Sequence, residues 1–199
     1  MKRSFIYLAL LASLAAIFLS TYYFKDSYEL LPINTKLSEK TLPPDQSWFN
    51  YDAPGGEFNV SLPLLPQTAT QYLTDPKTGD VKHYEMYIAQ NSDGTIYMIS
   101  LITLPKVLDE SEKPLILNQL MNDMVSANKG NKLRSSKSAV YDGMTSIDFI
   151  IDKEEHVIEA REFINGKTIY VLTTISKNEN KDKTHFKYFI DSFKLKSEK

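Results

Sequence analysis

An apolar segment near the N-terminus decides how much of this chain is left to build a water-soluble fold. Lys2 and Arg3 precede residues 5–24, whose only interruptions are two serines and a threonine. About 20 predominantly apolar residues are enough to cross a bilayer as a helix. Positively charged residues beside such a helix stay on the cytoplasmic side. The sequence therefore predicts one membrane-spanning helix at 5–24, with everything after Lys25 on the extracytoplasmic side.

The same segment allows a second interpretation, a cleaved signal peptide. Secretory signals have an apolar core of roughly 7–15 residues and small residues at −3 and −1 before the cut. A cut after Ser20 places Phe18 at −3, whereas the small pair Ser13 and Ala15 leaves only a short core. We predict a single-pass signal anchor at residues 1–24 in the inner (cytoplasmic) membrane. The alternative is cleavage and a secreted or periplasmic domain.

Composition excludes several kinds of site in the remainder. The chain contains no Cys, which in an exported protein excludes disulfides, a lipid-modified cysteine, thiolate metal ligands and cysteine nucleophiles. Without Lys2 and Arg3 the charges are 21 Lys and Arg against 25 Asp and Glu, a net −4. Nucleic-acid binding needs clustered Lys and Arg, so we expect no nucleic-acid partner.

Residues 25–53 are predicted to be a tether and residues 54–199 a domain. The stretch 36–47 is polar, contains two consecutive prolines and shows no sustained period, as is typical of a linker. The end of the tether is too apolar for a free linker. Three aromatic residues there are expected to pack onto the edge of the domain: Trp48, Phe49 and Tyr51.

Alternation of polar and apolar residues predicts eight strands after Pro54, because successive side chains of a strand point to opposite faces. The predicted strands are 57–62, 70–74, 81–89, 95–104, 133–140, 144–151, 156–164 and 167–176. Asn165-Gly166, between the last two, is the strongest hairpin signal in the chain. The strand at 95–104 has apolar residues on both faces, so it is expected to be central and covered on both sides.

Two other segments place apolar residues three and four apart, which predicts amphipathic helices at about 113–128 and 183–193. A sheet with two such helices must place them on its faces. We therefore predict an α+β fold, an α/β/α sandwich with a mainly antiparallel sheet. Eight side chains are expected to be buried where helices meet sheet: Phe58, Val60, Leu120, Met124, Phe149, Phe163, Phe189 and Phe193.

Chemical motifs are missing from the sequence. The histidines at 83, 156 and 185 are isolated, and no pair has the spacing of metal ligands on a helix. The charged cluster 152–156 lies between two predicted strands and fits a hairpin loop. There is no nucleophile elbow, phosphate loop or dinucleotide fingerprint. We predict no catalytic residue, no metal site and no cofactor.

One polar stripe is the best candidate for binding. Glu159 and Arg161 alternate with Ile158 and Ala160, so they share one face of their strand, and Tyr170 lies on the neighbouring strand. Exposed cross-strand pairs contribute less than about 1 kcal/mol and need no function. If the domain has a binding face, we expect it at Glu159, Arg161 and Tyr170, or at an exposed edge of the sheet.

Four segments of the domain resemble the PsbP-like superfamily: GEFNVSLPLLP (56–66), GMTSIDF (143–149), AREFINGKTIYVLTT (160–174) and FIDSFKL (189–195). The resemblance covers about residues 54–196. The family includes a lumenal oxygen-evolving-complex protein of plants and many small exported bacterial proteins of unknown function. It implies an α/β/α sandwich around an antiparallel sheet. The matched motifs are structural, so the resemblance implies nothing firm about activity.

Two functions are compatible with these patterns. The first is a non-catalytic, membrane-tethered or exported envelope domain that binds a protein partner, which we favour because no catalytic motif is present. The alternative is a small hydrolase or metal-dependent enzyme whose site residues are scattered in sequence. An enzyme should show a concave site where a histidine meets a carboxylate or hydroxyl. The sequence leaves the oligomeric state open.

Overall fold

The computed structural model describes residues 48–74, 79–177 and 183–196. The predicted membrane span at 5–24 and most of the predicted tether lie outside the described residues. Neither described helix has the length and apolar character needed to cross a bilayer. In chain order the elements are β1 (Phe49–Asp52), β2 (Phe58–Leu62), β3 (Gln67–Thr74), β4 (Val81–Gln90), β5 (Ile96–Thr103), α1 (Lys113–Ser126), β6 (Asn131–Tyr141), β7 (Met144–Lys153), β8 (His156–Asn165), β9 (Thr168–Lys177), α2 (Lys183–Ser192) and β10 (Lys194–Leu195).

A seven-stranded sheet forms the centre of the domain. Its strand order is β3-β4-β5-β9-β8-β7-β6, and every pair of neighbours is antiparallel. A smaller antiparallel sheet consists of β1, β2 and β10. The predicted α+β class, with two helices and an antiparallel sheet, is confirmed.

The two faces of the large sheet carry separate apolar cores. Helix α1 covers one face, here called the α1 face, mainly over β6, β7 and β8. Helix α2 and the small sheet cover the opposite face, here called the α2 face. Strand β5 contributes to both cores, Met98 and Ile102 to the first and Tyr97 and Ile99 to the second, which confirms its predicted central position. All eight side chains predicted to be buried are buried.

The last residues of the predicted tether take part in the fold. Strand β1 pairs with β2 over four residues, from Phe49 opposite Leu62 onwards. The Trp48 ring lies edge-on to Tyr97 and Tyr188, with centroid distances of 4.8 and 5.0 Å. Aromatic pairs favour this geometry, so the apolar end of the tether is attached to the α2 face. The expected packing of this aromatic cluster is confirmed.

The β8–β9 hairpin is present as predicted, but its turn is one residue further along. Asn165 pairs with Thr168, so the turn residues are Gly166 and Lys167 and not Asn165 and Gly166. Gly166 has φ +56°, a conformation that side chains disfavour. Glycine at the first central position is characteristic of type II′ turns, which match the twist of the flanking strands.

Candidate binding edge

The two outer strands of the large sheet differ in how well they are protected. Strand β6 carries three cations, Lys132, Arg134 and Lys137, and its pairing with β7 shifts register between Leu133 and Ser135. Positive charges and β-bulges are the devices with which natural proteins prevent another strand from adding to an edge. The β6 edge is therefore blocked against strand addition.

Strand β3, at the opposite end of the sheet, has none of these devices. Its eight residues, QTATQYLT, contain no charge, no proline and no register shift against β4. All are exposed except Leu73, which is half-buried. No strand of the described residues pairs with its outer side. A long, regular and uncharged edge strand is a template for an incoming strand.

A chain of contacts fixes Tyr72 on this edge. The Tyr72 ring is 67% exposed and stacks on His83, its cross-strand neighbour, with centroids 4.4 Å apart and planes inclined by 14°. His83 Nδ1 lies 3.3 Å from Glu85 Oε1. The Tyr87 hydroxyl donates to Glu85 Oε2 at 3.0 Å, and the buried Tyr87 ring packs edge-on against Phe58. An exposed aromatic ring is thus positioned from the core outwards.

The charges and hydrogen bonds in this series of contacts are better suited to holding the Tyr72 ring in place than to transferring protons. Burial, followed by the hydrogen bond to Glu85, raises the pKa of Tyr87, so its hydroxyl stays a proton donor. Both Glu85 oxygens are engaged, one by His83 and one by Tyr87. His83 Nε2 is buried and has no hydrogen-bond partner among the described residues. A base must reach its substrate, and in this arrangement the second nitrogen of His83 is shielded from solvent.

Exposed apolar side chains gather around the same edge. Among the described residues, eight large apolar side chains are exposed: four lie in β3 or beside it, and two, Leu133 and Val140, lie in β6. Tyr72 belongs to β3, Leu64 and Leu65 precede it by two or three residues, and Val81 of β4 pairs with Thr74. Single exposed apolar residues are ordinary, and these four become informative only together with the unpaired strand beside them. We call β3 together with Leu64, Leu65 and Val81 the β3 edge.

The residues predicted to form a polar binding stripe do lie on one face, but that face is covered. Glu159, Arg161 and Tyr170 all project to the α2 face, where α2 and the small sheet pack. Glu159 is only 8% exposed and Tyr170 only 5%. Tyr170 stands opposite Phe163 and stacks on it, with centroids 5.0 Å apart. These three residues therefore do not form an exposed stripe.

Arg161 has a structural partner on the neighbouring strand. It lies directly opposite Asp148 and donates two hydrogen bonds to its carboxylate, from Nε and Nη2, each 2.7 Å long. This bidentate contact raises the pKa of Arg161 further. The guanidinium also lies over the Tyr141 ring, 5.4 Å from its centroid. The pair holds β7 and β8 in register, and bidentate geometry makes it stronger than an ordinary surface ion pair.

A buried acid on the α1 face, Glu162, is not among the residues predicted from the sequence. Glu162 is fully buried, and both carboxyl oxygens lack a hydrogen-bond partner among the described residues. Burial, and then the nearby Asp123 of α1, raises the pKa of Glu162 well above its usual range. Burial also raises the pKa of Asp123.

The described residues contain no group of three or more His, Asp or Glu arranged to hold a metal ion.

Comparisons with known proteins bear on the fold. No family model matches the sequence, and no curated protein matches it significantly. The solution structure of the cyanobacterial PsbP protein from Synechocystis sp. PCC 6803 aligns over 82% of this chain and 99% of its own, with a TM-score of 0.51 and 14% identity. A protein of unknown function from Pseudomonas aeruginosa aligns over 67% of this chain and 85% of its own, but its TM-score of 0.33, at 9% identity, is too low to indicate a shared fold. The domain described here has a PsbP-like fold.

Proposed function

We propose that this chain is a non-catalytic domain, held on the extracytoplasmic side of the inner membrane by residues 5–24, that binds a protein partner through the β3 edge. The observation that carries the binding role is the contrast between the two edges of the sheet. Strand β6 is blocked by cations and a bulge, whereas β3 is uncharged, regular and exposed. Main-chain hydrogen bonds to an added strand supply affinity, and exposed side chains supply specificity.

Tyr72 supports this proposal from the side-chain level. Interface hot spots are enriched in tyrosine, and a ring that is already fixed loses little conformational freedom on binding. The contacts with His83, Glu85 and Tyr87 provide that fixation. Exposed sheet residues that served only solubility would not need support from the core. Slow hydrogen exchange of the β3 amides that point away from β4, measured in the membrane-bound chain, would support the binding role. Fast exchange of these amides would contradict it.

The positive residues before the apolar segment support export and anchoring. A single cysteine can report the side of the membrane, because the chain has none of its own. Ser136 is exposed on β6, and Ser136→Cys in the full chain should react with a membrane-impermeant maleimide in intact spheroplasts. Labelling only after the membrane is broken would place the domain in the cytoplasm. A mature chain that begins near residue 21 would replace the anchor by a cleaved signal peptide.

A second function, hydrolysis, is favoured by one observation, the contact between His83 and Glu85. A histidine oriented by a carboxylate is part of many hydrolytic sites. A hydrolytic rate that is lost on His83→Ala, in a chain that keeps its stability, would favour this alternative. The burial of Nε2 and the use of both Glu85 oxygens are the reasons that we prefer the non-catalytic function.

A further inference from the structure

We infer that the occupant of the β3 edge is β3 of a second copy of this chain. This inference rests on the proposed binding role of β3 and adds the identity of the partner. The first reason is charge. Two copies of QTATQYLT can lie side by side without opposing any like charges, whereas two copies of β6 would bring Lys132 and Lys137 together, beside an Arg134 that is already paired with Asp152.

The second reason is that β3 is complementary to itself. Identical strands related by a two-fold axis perpendicular to the sheet pair antiparallel, and each contact occurs twice. A register centred on Thr70 places Tyr72 opposite the partner's Thr68, on the same face of the joined sheet. Aromatic and β-branched residues are favourable cross-strand neighbours. The same register pairs Leu73 with the partner's Gln67, so neither face meets an unfavourable pair.

The third reason is the apolar group next to the strand. With the axis at Thr70, Pro66 lies opposite the partner's Thr74, so the exposed Leu64 and Leu65 stand beside both ends of the contact. Strand pairing alone covers less surface than a stable interface between free proteins. Two copies tethered to one membrane share a high effective concentration, which favours pairing through a small contact. The dimer is therefore expected in the membrane-bound full chain.

Single cysteines in the full chain test the pairing in the membrane in which it is expressed. Strands that pair antiparallel hold opposite Cα atoms about 4.5–5.5 Å apart, which is within the range that a disulfide spans. Under mild oxidation, Thr70→Cys should give a reducible dimer for a register centred on residue 70, and Gln71→Cys for one centred on residue 71. Ser136→Cys, exposed on the other edge, is the matched control and should stay monomeric.

A charge swap provides an independent readout. Thr70→Lys and Thr70→Glu should each lose the dimer, because like charges then face each other across an axis at Thr70, or lie diagonally across one at Gln71. The two variants expressed together should form a mixed dimer, which also shows that both are folded. Failure of the mixture to pair, or dimers of Ser136→Cys as abundant as those of Thr70→Cys and Gln71→Cys, would overturn the inference.

The outcomes separate this inference from the proposed function. If neither Thr70→Cys nor Gln71→Cys dimerises while Thr70→Lys still exposes β3 amides to hydrogen exchange, another molecule occupies the edge. Self-pairing is then wrong and the binding role stands. If the cysteines do not cross-link and Thr70→Lys changes no amide, the inference and the binding role both fail.

Discussion

Phe193→Ala is expected to lower the free energy of unfolding by about 3–5 kcal/mol, the usual effect of removing a large aromatic side chain from a packed interior. Phe193 is fully buried, and it is the residue that joins α2 to β10 in the chain. Its ring stacks on Phe58 at a centroid distance of 5.1 Å and meets Phe163 and Tyr170 edge-on at 5.9 and 6.0 Å. Truncation would leave a void where α2, the small sheet and the large sheet meet. Equilibrium urea denaturation measures the change.

Leu115→Ala is the control for this prediction. Leu115 belongs to α1 and is exposed, so truncation there should change the free energy of unfolding by less than about 0.5 kcal/mol. A denaturation midpoint that is the same for Phe193→Ala and the wild type would show that α2 and β10 do not pack on the large sheet as described.

Glu162→Gln is expected to stabilise the domain at neutral pH and to weaken the dependence of stability on pH. Burial, and then Asp123, raises the pKa of Glu162 in the folded state above that of the unfolded chain. Below the ordinary glutamate pKa both states are protonated, so the ionisation of this group makes no contribution to stability there. Above it the unfolded state releases the proton that the folded state keeps. Stability then falls by about 1.4 kcal/mol for each pH unit until the folded pKa is reached.

Glutamine resembles the protonated acid in shape but does not titrate, so it removes this contribution. The free energy of unfolding measured from pH 4.5 to 8 should therefore fall less steeply in Glu162→Gln than in the wild type. Some slope should remain, because burial also raises the pKa of Asp123. Glu155→Gln, exposed in the β7–β8 turn, is the matched control. Identical profiles for Glu162→Gln and the wild type would refute the prediction.

Local patterns predicted most of the secondary structure, because strand and helix periods are written in consecutive residues. All eight expected strands and both helices are present, with bounds that differ by three residues at most. The sequence patterns did not mark β1 and β10 as strands. These strands have four and two residues, and the pairing of β10 with β2 brings together distant parts of the chain. A short segment shows too little alternation to predict such a strand.

The candidate site was harder to predict, because it depends on strand order and register. The charge-free sequence of β3 is visible, but its position at the edge follows from long-range pairing. The stack of Tyr72 on His83 likewise follows from the β3–β4 register. Glu162 did have a local signal, since it interrupts the apolar face that contains Ala160 and Ile164. The expected exposure of Glu159 and Tyr170 was wrong, because α2 and the small sheet cover the face on which they lie.

Amide hydrogen exchange of residues 67–74, in the full chain in its own membrane, tests most directly whether β3 is the binding edge. An antiparallel strand bonds to each neighbour through alternate residues, so every second amide of β3 points away from β4. We predict that these outward amides exchange slowly in the wild type and rapidly in Thr70→Lys, while the amides of β6 exchange alike in both chains. Outward β3 amides that exchange equally fast in the two chains would contradict the assignment of β3 as the binding edge.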